Sequence, residues 1–178
     1  MILEHNSQEI FFRSPFGAQK CGETVTIRLA AKNAGLPHSV KLILKNEMED
    51  STEYISMYYV FTILDTSIYE AKITMPEKET LLWYCFEVKN DKGTYFYGNN
   101  SELLGGLGEM YNEFPSKSFQ ITVYQKDYKT PDWFSESIVY QIFPDRFCNA
   151  NDDGTFLGNR NDIIKRNWGD QPYYKAEQ

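Results

Sequence analysis

The sequence predicts an all-β fold of the immunoglobulin-like β-sandwich type, followed by the opening of a second domain. Two observations lead to this prediction. Short segments with alternating apolar and polar residues are separated by polar turns, and no stretch before residue 125 keeps a helical period over ten residues. From residue 138 the pattern changes to a nearly unbroken apolar run, Ile138–Phe143, which is closed by Pro144. The first pattern is typical of a sandwich, and the second of a strand buried on both faces.

Period-two alternation identifies the strands of the first domain. Val25, Ile27 and Leu29 point to one side, while their neighbours point to the other. A short edge strand comes before this one, and further strands follow it at turn-punctuated intervals. The eight predicted strands cover residues 9–13, 24–29, 40–45, 53–62, 69–75, 81–88, 94–97 and 119–124.

Charge and cysteine usage exclude several classes of function. The 178 residues include 18 basic and 25 acidic side chains, and the net charge of −7 with no Lys/Arg cluster argues against a nucleic-acid partner. No apolar stretch approaches the roughly 20 residues that a membrane helix needs. Cys21, Cys85 and Cys148 are far apart and lack metal-ligand spacing, which indicates free thiols in a reducing compartment. We therefore expect a cytoplasmic protein.

Aromatic residues make up 16% of the chain. Aromatic rings favour strands, so most of them are expected in the core. A surplus of Tyr and Trp also suits a surface that stacks on flat ligands such as sugar rings. Trp83, Tyr95 and Tyr97 are the candidates for such a platform, and the other interpretation is that each of them simply packs within the β structure.

A loop rich in oxygen ligands follows the apolar run. Asn149, Asn151 and Asp153 stand at positions 1, 3 and 5 with Gly154 at position 6, a spacing that can gather oxygen atoms around Ca²⁺. Asp152 adds a further carboxylate. The loop is no EF-hand, because its twelfth position is Arg160 instead of Glu. A solvated turn is the other interpretation, since Asn and Asp favour turns in any case.

The segment TPDWFSESIVYQIFPDRFCNAN, residues 130–151, resembles the start of the catalytic barrel in glycoside hydrolase family 13, the α-amylase family. More narrowly, it is similar to the neopullulanase, cyclomaltodextrinase and maltogenic amylase group. Phe12–Gly17, Gly106–Gly108 and Trp168–Pro172 are also similar. The resemblance implies that the chain has three parts, which are a sandwich over 1–124, a linker over 125–135, and the truncated start of a (β/α)₈ TIM barrel over 136–178. Ile138–Phe143 would be the first strand of that barrel.

The resemblance also implies a function. The family hydrolyses or transfers α-glucosidic bonds in maltodextrins, cyclodextrins or pullulan, with retention of configuration by an Asp and Glu pair. Those carboxylates belong to later barrel strands, so we assign no catalytic residue and expect this chain alone to be inactive. Asn149, Asn151, Asp152 and Asp153 would form part of a Ca²⁺ site whose closing ligands lie beyond Gln178.

The resemblance gives the β domain a role in homodimerisation and in substrate access, with α-glucan oligosaccharides as ligands of the enzyme. Two alternatives remain open at this point. The domain is a starch-binding module, or the chain is a stand-alone immunoglobulin-like interaction domain. An exposed apolar run at Ile138–Phe143 argues against the second, because an unpaired strand of this kind promotes aggregation.

Overall fold

The computed structural model describes residues 1–33, 37–143, 147 and 169–171. The chain divides into two compact units, Met1–Lys129 and Thr130–Gln178. The first unit contains all of the described strands, and the second contains a short helix, α1, at Asp132–Ser135. Every core residue among the described positions belongs to the first unit.

The first unit is built from twelve strands in its described residues. They are β1 (Ile2–Glu4), β2 (Arg13–Ser14), β3 (Gln19–Lys20), β4 (Thr24–Lys32), β5 (Ser39–Asn46), β6 (Ser51–Ser56), β7 (Tyr58–Ile63), β8 (Thr66–Thr74), β9 (Thr80–Asn90), β10 (Gly93–Gly98), β11 (Glu109–Tyr111) and β12 (Phe119–Tyr124).

These strands form two sheets. The first sheet has the order β1-β4-β8-β7, with β2 also paired to β4. In the second sheet β9 is central, with β5 and then β6 along one edge and with β10 and β12 sharing the other. Strand β11 pairs with β10, and β3 pairs in parallel with β12. The prediction of an all-β sandwich is confirmed.

The core lies between the inner faces of the two sheets. In the strands with alternating sequence, the apolar side chains point into this space. Burial of this apolar area is the main force that holds the sheets together. Its largest fully buried side chains include Ile27, Leu29, Leu42, Leu82, Tyr84, Phe86, Tyr97, Phe119 and Ile121.

One polar side chain, His5, lies fully buried among the aromatic rings of this core. Its Nδ1 lies 2.7 Å from the carbonyl oxygen of Arg28, which can only accept, so Nδ1 carries the proton. Its Nε2 then accepts from the Tyr84 hydroxyl at 2.9 Å. Burial lowers the pKa of His5 to about 3. The neutral ring is therefore an integral part of the core.

Two of the predicted strands are wrong in detail. Residues 9–12 form a turn instead of an edge strand, and the amides of Phe12 and Arg13 both donate to the carbonyl of Glu9. Of the predicted strand, only Arg13 belongs to a strand, as the first residue of β2. The predicted strand over 53–62 is two strands, because the chain crosses from the second sheet to the first at the buried Met57. Strands β1, β3 and β11 have only two or three residues, too few for alternation to reveal.

The apolar run Ile138–Phe143 forms no strand in this structure. Its side chains are solvent-exposed, with Ile138 at 98% and Tyr140 at 73% of full accessibility. A strand exists only through hydrogen bonds to a neighbouring strand, and none is present for this run among the described residues. The division into 1–124, 125–135 and 136–178 stays a prediction.

Candidate carbohydrate-binding groove

The first unit carries an open groove of about 550 Å³, to which the loop around Phe16, strands β9 and β12, and the glycine-rich loop after β10 all contribute. Three aromatic residues, Phe16, Trp83 and the buried Phe119, line it together with polar groups from Gln120 and Thr122. Such a mixture of rings and hydrogen-bonding groups is characteristic of a small-molecule site.

Hydrogen bonds from Arg13 and Gln19 fix the backbone of the loop that carries Phe16 on one side of the groove. The two terminal nitrogens of Arg13 donate to the carbonyl oxygens of Gln120, at 2.9 Å, and of Gly17, at 2.8 Å. The side-chain amide of Gln19 also donates to the Gly17 carbonyl, at 3.1 Å. Gly17 has a φ of +89°, which a residue with a side chain adopts only under strain. The loop therefore holds the Phe16 ring 56% exposed on a fixed backbone.

The Trp83 side of the groove belongs to the outward face of β9. Trp83 stands between Lys45 of β5 and Gln120 of β12 in the sheet register and is half-buried. Its indole Nε1 donates to Oε2 of Glu47 at 2.5 Å. The indole edge is thus fixed from outside the groove.

The groove has almost no exposed charge. Arg13 is the only charged side chain among the described residues that line it, and Arg13 is 5% exposed, with both terminal nitrogens engaged by backbone carbonyls. Gln120 and Thr122 are exposed and neutral, and their side chains lie 3.4 Å apart. A neutral ligand with many hydroxyl groups fits this lining better than an ion does.

The remaining wall comes from the glycine-rich loop after β10. Gly106 and Ser7 exchange two hydrogen bonds of 2.9 Å, one from backbone to backbone and one from the Gly106 amide to the Ser7 hydroxyl. These bonds hold Leu103, Leu104 and Gly105 beside the groove. A side chain at Gly108 would collide with the Tyr97 ring and the Gly98 carbonyl, which explains the glycine at that position.

Of the three predicted platform residues, only Trp83 lines the groove. Tyr95 is half-buried and packs against the core. Tyr97 is 2% exposed, and its hydroxyl donates to the His5 carbonyl at 3.2 Å. A sugar ring cannot stack on a side chain that the core encloses, so the structure removes Tyr97 from the platform.

Sequence reasoning missed Phe16, Arg13 and Gln120. Phe16 and Arg13 both lie in Phe12–Gly17, a segment that resembles the α-amylase family. The motif alone, however, does not show which of its side chains is buried and which is exposed in the groove. Arg13 is buried and Phe16 is exposed. Gln120 points outward from β12, and nothing in the sequence distinguishes it from other outward residues. Its position beside Trp83 depends on the pairing of β12 with β9.

A second aromatic surface lies at the open edge of the sandwich, and we call strands β6 and β7 together the β6–β7 edge. All six residues of β7 are exposed, and Tyr58, Tyr59, Phe61 and Ile63 supply most of its surface. Within the described residues β7 pairs with β8 alone, so its other side is free. No charged residue occurs from Tyr54 to Leu64.

The predicted calcium ligands Asn149, Asn151, Asp152 and Asp153 lie outside the described residues. Within the described part of the chain, no group of three or more His, Cys, Asp or Glu side chains could hold a metal ion. No helix in that same part is long and apolar enough to cross a membrane.

Comparison with known proteins gives a consistent result. The chain is 39% identical over 157 residues to an amylopullulanase of Thermoanaerobacter thermohydrosulfuricus, a match that covers 87% of this chain and 10% of that protein. Over most of its length, the chain is similar to amylopullulanases. Two further amylopullulanases, from Thermoanaerobacterium thermosulfurigenes and Thermoanaerobacterium saccharolyticum, are each 37% identical over 177 residues, covering 96% of this chain and 9% and 14% of theirs.

The match to amylopullulanases confirms the resemblance to the N-terminal region of α-amylase-family glycosidases. The chain spans only about a tenth of the length of these relatives. A solved structure named cyclomaltodextrinase is 20% identical, matches 84% of this chain and 24% of its own, and gives a TM-score of 0.49. No family model matches the chain.

Proposed function

We propose that this chain is part of an α-glucan-degrading glycoside hydrolase that acts on the α-glucosidic bonds of maltodextrins, cyclodextrins or pullulan. The similarity to amylopullulanases over most of the chain supports the proposal. The reaction is assigned to the longer protein, because the chain spans a small share of these relatives.

Within that enzyme, the proposed role of the β-sandwich is to bind α-glucan chains in the groove. The observation that carries this role is the exposed Phe16 on a braced loop, in the same groove as Trp83. A glucose ring has two apolar faces of C–H groups and a polar rim. The faces stack on aromatic rings, while the rim hydroxyls bond to planar amides such as that of Gln120.

The groove also fits the charge of the ligand. A glucan is neutral, and the single charged residue of the described lining, Arg13, is buried, with both of its terminal nitrogens bonded to backbone carbonyls. Each hydroxyl that leaves water must find a new partner, and the exposed side chains of Gln120 and Thr122 offer both donors and acceptors.

Isothermal titration of the chain with maltoheptaose and with β-cyclodextrin tests this role. We expect saturable binding that Trp83→Ala weakens about 10- to 100-fold, because stacking of a ligand ring on one aromatic side chain contributes roughly 1–3 kcal/mol by alanine substitution. Tyr59→Ala, at an exposed aromatic of the β6–β7 edge, is the matched control and should bind like the wild type. Equal affinity in all three proteins, or no binding by any, would refute the role.

The β6–β7 edge favours a second candidate role, which is homodimerisation that limits access of long polymers to the enzyme. Within this edge, strand β7 has a free side and contains neither a charged residue nor a proline, which makes it a template for pairing with another strand. Sedimentation velocity should show a dimer that Val60→Lys dissociates, since a lysine on an edge opposes strand pairing. Met48→Lys, at another exposed apolar residue, is the control. A monomeric wild-type chain at high concentration would eliminate this role for the chain.

Ca²⁺ is the proposed ion of the loop that contains Asn149, Asn151, Asp152 and Asp153. Two amides and two carboxylates supply hard oxygen ligands, which suit Ca²⁺. The ion would stabilise the loop in the longer protein. We expect weak binding by this chain alone, and calorimetric binding in the micromolar range would contradict that expectation.

The proposed compartment is the cytoplasm. Cys21 and Cys85 are buried free thiols in the structure, as befits a reducing environment. Thiol titration of protein purified from its native source, with and without denaturant, tests this assignment. Disulfide-bonded cysteine in that material would refute it.

A further inference from the structure

The groove depends on a residue that does not line it. Trp83 stands on an outward-facing sheet surface and is only half-buried, so core packing does not fix its large ring on all sides. Glu47 accepts a hydrogen bond from the indole Nε1 at 2.5 Å. Glu47 does not line the groove, so it contacts the Trp83 indole from outside the groove.

Glu47 is itself well placed by the turn that follows β5. Its backbone amide donates to the carbonyl of Leu81 at 3.0 Å, two residues before Trp83 on β9. The preceding residue, Asn46, is buried and accepts from the Thr80 hydroxyl at 2.6 Å and from the Met48 amide at 3.2 Å. The carboxylate therefore projects from a backbone that is tied to the same strand as the ring it holds.

The charges around Glu47 leave its carboxylate available to the indole. Lys45, the neighbour of Trp83 in the register, forms its ion pair with Asp50 at 3.2 Å. An exposed ion pair contributes little to stability. A hydrogen bond to a charged acceptor contributes more, even at an exposed position, which suffices to select one orientation of a ring among a few rotamers.

We infer that Glu47 is a positioning residue for the groove, which holds the Trp83 indole so that its face is open to a glucan. This inference rests on the proposed glucan-binding role. Glu47 touches no ligand and acts only through Trp83. The bond also occupies the single donor of the indole, so Trp83 offers its ring face and no hydrogen bond to the sugar.

Maltoheptaose titration of Glu47→Ala, Glu47→Gln and Glu49→Ala tests this inference, with the Trp83 indole N–H signal followed by NMR in the same samples. Glu47→Ala should lose about five- to tenfold in affinity and shift the indole signal. Glu47→Gln keeps an acceptor oxygen and should restore both to near the wild-type values. Glu49→Ala, in the same turn, should change neither, and all four proteins should unfold at the same urea concentration.

The outcomes separate the two claims. Unchanged affinity in Glu47→Ala, with binding by the wild type, would overturn the positioning role and leave the glucan-binding role standing. No binding by the wild type would overturn both. Loss of affinity together with a lower unfolding midpoint that Gln does not restore would show a structural role and would also overturn the inference.

Discussion

The two aromatic surfaces of the β-sandwich differ in what surrounds their rings. In the groove, Phe16 sits on a loop braced by Arg13 and Gln19, and Trp83 is held by Glu47 beside neutral polar side chains. On the β6–β7 edge, the rings stand on a strand whose outer side has no partner among the described residues. The difference teaches that exposed aromatic residues are not one class. A concave, braced pair suits a small ligand, and an unpaired edge suits another polypeptide chain.

Acid should destabilise the fold that presents both surfaces, because the groove and the β6–β7 edge depend on the same core. The unfolded chain binds a proton at His5 near pH 6.5, whereas the folded chain does so only near pH 3. The unfolded state therefore binds more protons in this window, and the free energy of unfolding falls as the pH drops below 6.5. Between about pH 6.5 and pH 4.5 the loss from this one group is about 2–3 kcal/mol.

Urea unfolding at several pH values measures the acid effect. His5→Gln should be less stable at neutral pH but nearly insensitive to pH over this window. His38→Gln, at an exposed histidine, should retain the loss. A wild-type stability that stays constant down to about pH 4.5 would show that His5 titrates normally and is not enclosed by the core.

Arg13→Ala should affect the groove and spare the β6–β7 edge. The substitution removes the Arg13 donor from the carbonyl of Gln120 and one of the two side-chain donors from the carbonyl of Gly17, at a cost of about 2–4 kcal/mol in stability. It also frees the Phe16 loop, so affinity for maltoheptaose should fall although Arg13 is only 5% exposed. Calorimetry at a temperature where the variant is folded measures the affinity, and a destabilised variant with wild-type affinity would contradict the bracing.

Gln120→Leu tests the polar half of the groove. The side chain is exposed and lies beside Trp83 in the register, so the fold should not change. Loss of its hydrogen bonds to a sugar should cost about 1 kcal/mol, which is about fivefold in affinity. Lys72→Leu, on the outward face of the first sheet, is a control that should bind like the wild type. Tighter binding of maltoheptaose by Gln120→Leu would mean that the groove recognises only apolar surface.

Tyr58→Phe should have the smallest effect and should leave the groove intact. The Tyr58 hydroxyl donates to Glu70 at 2.8 Å, and Glu70 also accepts from Arg28 at 2.8 Å. Burial opposes the charged form of Glu70, but the hydrogen bonds from Tyr58 and Arg28 hold its pKa below the ordinary value. Loss of one bond should lower stability by about 0.5–1.5 kcal/mol at neutral pH. A change in maltoheptaose affinity would contradict the independence of the two surfaces.

Much of the fold follows from the sequence because alternation is a local signal. Strands β4, β5, β8 and β12 each show one apolar face, and the structure buries that face. The aromatic run over 53–62, however, continues through Met57, where the chain changes sheets. A run without alternation gives no local signal for the point at which one strand ends and the next begins.

The candidate site was far less predictable. Trp83 was predicted because its ring suits stacking on a sugar, but the same reasoning also selected Tyr97, which the core encloses. Phe16 lies in a loop without periodicity, and Gln120 gains its meaning from a partner 37 positions away in the sequence. In Ile138–Phe143 the sequence predicts a strand that this structure does not contain. An apolar run can predict a strand, but it cannot supply the neighbouring strand that the hydrogen bonds require.

An NMR titration of the whole chain with maltoheptaose tests the central claim most directly, because it observes both aromatic surfaces in one sample. We predict that the Trp83 indole N–H, the Gln120 side-chain amide and the backbone amides around Phe16 shift in a saturable manner, while the amides of β7 do not. Shifts confined to β7, or no shift anywhere at millimolar maltoheptaose, would contradict a glucan-binding groove.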